Sequence, residues 1–173
     1  MGKIAFTGVQ VLDASGGQPF AGEVLVEGNR IRAVARDGAQ VNREGARIVD
    51  GGGATLMPGL IESHMHCSFL DTDSLEALGF VPVEEHTLRA MQNAKKFLDQ
   101  GFTAGCSAAA AKPRLDIVIR NAINAGDIPG PRMLACTPEL TVSSGLGDVR
   151  LAHMHRDTFA LICDGADEFR KVS

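Results

Sequence analysis

Ala54-Thr55-Leu56-Met57-Pro58-Gly59-Leu60-Ile61-Glu62-Ser63-His64-Met65-His66 is the stretch that decides how this chain is read. Residues 54–61 form a continuous apolar run, the pattern of a strand covered on both faces. The run closes on His-Met-His. Side chains two apart in a strand share a face, so His64 and His66 project together. A neutral imidazole offers a nitrogen lone pair, and two at this spacing reach a single divalent ion. His-x-His in isolation is a weak signal. Its weight comes from its position, straight after a buried strand and just downstream of Pro58-Gly59.

Downstream, helical and strand patterns alternate. A helix is predicted from about Val83 to Gln100, with Leu88, Met91, Ala94 and Leu98 as its inner stripe and Gly101 as its terminator. Phe102 to Ala110 is a small, apolar strand candidate. Pro113 to Gly126 reads as a second helix, with Leu115, Val118, Ile119, Ala122 and Ile123 facing inward. Arg132 to Cys136 is a third strand candidate. After it comes a polar loop of about 25 residues, a length usual for functional or disordered segments. Asp164 to Ser173 has the acid-then-base order of a helix start. Strand, helix, strand, helix, strand is the order of parallel βα units. A doubly wound sheet would carry a glycine-rich phosphate loop after its first strand. Here that place holds Glu-Ser-His-Met-His, so the expected fold is α/β, the start of a (β/α)8 TIM barrel with about three βα units.

Upstream of the run the pattern is β. Lys3 to Leu12 alternates loosely through Ile4, Phe6, Val9 and Val11. Val24 to Val26 and Ile31 to Val34 flank Glu27-Gly28-Asn29-Arg30, a hairpin signal because Gly and Asn tolerate positive φ. Arg47 to Asp50 is a further short strand. Residues 1–54 are therefore expected to form a small β-sandwich segment, and residues 55–173 the first part of the barrel.

The composition is that of an ordinary globular protein: 173 residues, 45% hydrophobic, with a formal net charge of −4. No basic stripe favours nucleic acid, and no apolar stretch approaches the ~20 residues needed to cross a membrane. The N-terminus lacks the pattern of a secretory signal, and Phe6 stands where a myristoylation motif needs Ser or Thr. A cytoplasmic location is expected. Four widely spaced cysteines, Cys67, Cys106, Cys136 and Cys163, read as buried thiols rather than disulfides. His86, at the start of the first helix, reads as a solvated outer residue.

Pro-Gly-Leu-Ile-(acid)-x-His-x-His after an N-terminal β segment resembles the amidohydrolase superfamily. The nearer likeness is to the branch of imidazolonepropionases, prolidase-like peptidases and hydrolases of urea and carbamate herbicides. The late stretch from Cys163 to Lys171 is similar to that branch as well. The resemblance implies a metal-dependent hydrolase in which metal-activated water cleaves a C–N bond of an amide, urea, carbamate or cyclic amide. It implies His64 and His66 as the first ligand pair, with a carboxylated lysine, two more histidines and an aspartate on later strands. This chain departs from the pattern in having Glu62 where relatives carry aspartate. It also has Thr103-Ala104-Gly105-Cys106-Ser107 where many have Thr-Thr-Val-Arg-Asp.

The cofactor expected is one or two divalent ions, zinc by default for imidazole ligands, with manganese, cobalt or iron suited to a mixed N/O site. The partners expected are a small-molecule substrate and either the remainder of the barrel or a companion chain. Uncovered strands favour a homo-oligomer. His153 and His155, in the long loop, are candidate substrate-binding residues, since loops after barrel strands build such pockets. The catalytic acid or base is expected on later strands, so these residues read as an incomplete portion of the enzyme. Two other readings stand beside this one: a non-catalytic binding or assembly module that retains the fold, and a superfamily decarboxylase or deaminase.

Overall fold

The computed structural model describes residues 2–150 and 158–172. The chain divides into two compact units, Met1–Pro58 and Gly59–Ser173. The first holds β1 (Lys3–Val11), β2 (Phe20–Glu27), β3 (Arg30–Arg36), β4 (Ala46–Asp50) and β5 (Thr55–Leu56). They form one sheet in the order β3-β2-β1-β4, with β5 also on β1. β2 is antiparallel to both β1 and β3. β4 runs parallel beside residues 3–7 of β1, and β5 beside residues 10–11.

The loose alternation of β1 has a physical cause. Phe6 pairs with Val24 but Val9 pairs with Gly22, so three steps on β1 match two on β2. The extra residue makes a bulge in which Gly8 takes φ 61°. Phe6, Val9 and Val11 thereby reach the same apolar cluster as Val24, Val26 and Leu56, while Ala5 joins Leu25 and Val41 in the other. A Cβ at Gly8 would stand 2.6 Å from Asp50 Oδ1, so both backbone and space reserve the position for glycine. In the β2–β3 hairpin Glu27 pairs with Arg30, and Gly28 alone supplies positive φ, at 62°.

Glu23, on β2, is buried and accepts hydrogen bonds from the Arg43 guanidinium and from the Val41 N–H at 3.2 Å. The hydrogen bond from Arg43 holds its carboxyl below the ordinary range, outweighing desolvation. A depressed folded-state pKa contributes stability above the unfolded value of ~4.5, and that stability is lost as pH falls through the folded pKa. The urea midpoint of the chain should therefore fall on acidification below about pH 4.5. Glu23→Gln should flatten that fall while lowering the midpoint at neutral pH. An unchanged acid limb in Glu23→Gln would refute the assignment.

The second unit holds β6 (Leu60–Met65), α1 (Ala77–Phe80), α2 (Val83–Asp99), β7 (Phe102–Ser107), α3 (Leu115–Ala125), β8 (Arg132–Leu134), β9 (Leu140–Thr141), β10 (Leu161–Ile162) and α4 (Ala166–Val172). β6, β7 and β8 are parallel, in chain order, with α2 and α3 as their crossovers. This is the opening of a TIM barrel. Met65, Cys67, Ala90, Ala94, Leu115, Ile119 and Met133 fill the layer between strands and helices.

Three expectations need correction. The apolar run 54–61 is two strands, not one. Thr55 and Leu56 belong to the first sheet, and Leu60 begins the barrel. Pro58 has no N–H for a ladder, so the strand ends there. Nor is the run covered on both faces, since Ile61 is 72% exposed. The second correction concerns the helix faces: α2 turns His86, Ala90 and Ala94 inward with Leu88 exposed, and α3 buries Leu115, Asp116 and Ile119 while Val118, expected to face inward, is exposed. His86, expected to be solvated, is fully buried, and its Nε2 lies 2.6 Å from the Ser68 carbonyl oxygen. Thirdly, the long loop after β8 is not structureless. β9 and β10 pair in parallel, and the Ser143 N–H donates to Asp164 Oδ1 at 2.7 Å. α2 and α3 end as predicted, on Gly101 (φ 92°) and Gly126 (φ 83°).

Candidate metal centre

At the end of β6 the register slips, three steps from Glu62 to Met65 matching two on β7 from Gly105 to Ser107. Met65 is completely buried, and a Cβ at Gly105 of β7 would meet its Sδ at 2.7 Å. Its neighbours face the other way, His64 exposed and His66 half-buried. Their ring centroids are 4.8 Å apart at an interplanar angle of 79°. Phe69 stacks on His66 with centroids 4.2 Å apart, and the Ala109 carbonyl oxygen lies 3.5 Å from His66 Nδ1. A carbonyl at Nδ1 favours the tautomer whose Nε2 lone pair is free. The Glu62 carboxylate accepts the His64 N–H at 3.0 Å and so braces the turn of the strand end. His66 also forms one wall of an open cleft of about 340 Å³ with Asp71, Asn93 and Lys96.

These donors suit a borderline ion such as zinc, but they are two only. Among the described residues no group of three or more His, Cys, Asp or Glu side chains could hold a metal. His153 and His155 lie outside the described residues.

Behind the strand ends sits a polar cluster that the sequence did not announce. Asp116, in the first turn of α3, is completely buried. The Ser107 hydroxyl, at the end of β7, donates to its Oδ2 at 2.5 Å and lies 3.0 Å from the Cys136 thiol beyond β8. Asp116 Oδ1 and His86 Nδ1 are buried without hydrogen-bond partners. Burial raises the Asp116 carboxyl, while the hydroxyls of Ser107 and Ser68 and the charges of His66 and His86 pull it down. Ser68, two residues past His66, accepts the Ala111 N–H at 2.9 Å. Burial also lowers His86, favouring its neutral form, and pushes the Cys67 thiol up to about 12, which makes it inert. The four cysteines are free, but Cys106 is exposed rather than buried.

A sheet unit followed by parallel βα units, with imidazoles at the end of the first barrel strand, defines a partial TIM-barrel protein. No profile of a known protein family matches the chain. A stretch of 49 residues is 45% identical to an imidazolonepropionase of Anaeromyxobacter sp. (strain K), covering 27% of this chain and 12% of that one. Over 66 residues it is 38% identical to a dihydroorotase of Streptomyces coelicolor, covering 38% of this chain and 14% of the other. The crystal structure of an amidohydrolase matches 98% of this chain and 43% of its own, with TM-score 0.82 and 26% identity. A prolidase complexed with N-methylphosphonate-L-proline has the same fold (TM-score 0.82, 24% identity, 98% of this chain and 42% of that one). The relatives and the solved structures together support the amidohydrolase superfamily for this chain, which spans less than half the length of those members. No helix among the described residues is long and apolar enough to cross a membrane.

Proposed function

We propose that the chain is part of a metal-dependent amidohydrolase that cleaves a C–N bond of an amide, urea, carbamate or cyclic amide. His64 and His66 would hold a divalent ion, with zinc the first candidate on ligand chemistry. The observation that carries this is their pairing at the end of β6, rings 4.8 Å apart and outward of the anchored Met65. Such an ion supplies Lewis acidity, polarising a carbonyl and acidifying water. The chain's own residues do the positioning. Phe69 restricts the His66 ring, Ala109 sets its tautomer, and Glu62 braces the backbone of His64. The remaining ligands and the proton-transfer group would come from strands outside these 173 residues, in the same polypeptide or a companion chain. His153 and His155 are proposed to line the substrate pocket, residues 1–58 to form the β segment, and residues 59–173 to begin the barrel. A cytoplasmic, homo-oligomeric protein fits this reading.

Metal analysis on the protein that carries the whole barrel tests it, combined with a screen of amides, ureas, carbamates and cyclic amides. One or two ions per subunit, with hydrolysis abolished by a chelator and restored by Zn2+, is the expected outcome. A metal-free, well-folded and inactive barrel would overturn it. Ile61 and Leu134, each 72% accessible, are surface that the remaining strands or a companion chain would cover.

A further inference from the structure

Asp116 is the least expected residue in the molecule. A carboxylate with no exposed surface ordinarily has a cation beside it, because a charge taken from water without a partner is strongly disfavoured. Among the described residues no salt bridge is made to it, one oxygen accepts the Ser107 hydroxyl, and the other has no hydrogen-bond partner. Its surroundings are the C-terminal ends of the three barrel strands. Ser107 closes β7 and touches Cys136 beyond β8. The segment behind β6 is tied in at three points: His66 Nδ1 to the Ala109 carbonyl, Ala110 N–H to the Thr137 carbonyl at 3.1 Å, and Ala111 N–H to Ser68 Oγ. The carboxylate is therefore bonded to Ser107, which pairs in register with Met65 between the two imidazoles and touches Cys136 beyond β8.

We infer that Asp116 is a positioning residue for the proposed metal centre, a buried counter-charge whose missing cation is the ion held in front of it by His64 and His66. This rests on the metal reading above. Electrostatic coupling of Asp116 to His66 supports it. Charge acting through a protein interior is screened far less than across water, so the carboxylate favours a dication without ligating it. Ser107 orients the carboxylate, and its contacts with Asp116 and Cys136 tie the end of β7 to α3 and to the segment after β8. Without the ion, burial raises the carboxyl above its ordinary range and favours its neutral form, so ionising it is a liability to the fold. With the ion, it becomes an asset.

That reversal of sign separates the inference from a merely structural role. Zn2+ alone is the probe, titrated into the metal-free protein that carries the whole barrel while the His64 and His66 imidazole resonances are followed by NMR. Asp116→Asn keeps the shape and removes the charge. It should weaken Zn2+ about tenfold, the range found for groups that support metal ligands, and leave the metal-free melting temperature unchanged or raised. Equal affinity in both proteins would overturn the inference and leave the metal reading standing. A lower melting temperature with loss of the His64 and His66 signal dispersion would overturn it in favour of a purely structural role. If the wild-type protein shows no Zn2+-dependent shifts at all, the metal reading fails and this inference falls with it. A measurement on the wild type covers a variant that does not fold. The Asp116 carboxyl carbon resonance should move with Zn2+ at the same midpoint as the two imidazoles, and a resonance that does not respond overturns the proposal.

Discussion

Replacing His66 by alanine, in a protein carrying the whole barrel, should lower C–N hydrolysis by about a thousandfold or more, with loss of the bound ion. Lewis-acid stabilisation amounts to several kcal/mol in the transition state, and each ~1.4 kcal/mol is a factor of ten in rate. His66 is the better single target of the pair. Its ring is already oriented by Phe69 and Ala109, whereas His64 is exposed. His64→Ala should act in the same direction and disturb the fold less, within ~0.5 kcal/mol for an exposed site. Elemental analysis of the purified variants alongside their rates checks this. A His66→Ala protein that retains both metal and activity would place the ion elsewhere.

Met65→Ala should produce the largest loss of stability, about 2–5 kcal/mol by urea unfolding, as for other fully buried large-to-small changes. Met65 has no exposed surface, and its thioether lies against Gly105. Its removal opens a void under the strand that carries both imidazoles. Met65→Leu, nearly conserved in volume, should cost less than ~1.5 kcal/mol. A loss below ~1 kcal/mol in Met65→Ala would mean that β6 is not anchored from the core.

Legibility in the sequence followed the physics of each segment. The three parallel strands and two crossovers could be read because period and terminators agreed, as at Gly101 and Gly126. The slip between Phe6 and Val9 was visible as imperfect alternation, and it proves to be the Gly8 bulge. Residues 54–61 misled because hydrophobicity does not record which sheet a residue joins, and only Pro58 marked the change. The face of α2 was misjudged because Leu88 outranks His86 in any apolar count, although His86 is the buried one. Nothing local to Asp116 betrays that tertiary packing encloses it. β9 and β10, two residues each, are products of long-range pairing and leave no periodic trace. The His64–Met65–His66 alternation, by contrast, could be read directly.

The pairing of β5 with β1 bears on how the chain is made. Once Thr55 and Leu56 have cleared the ribosome, β1 to β5 are all present, and none of their mutual pairings waits on β6 or the described residues after it. Domains synthesised early tend to fold as units during elongation. The amino-terminal sheet can thus close while the parallel strands are still being translated. The nascent barrel then has a finished structure upstream of it during the interval in which its own strands remain unmatched.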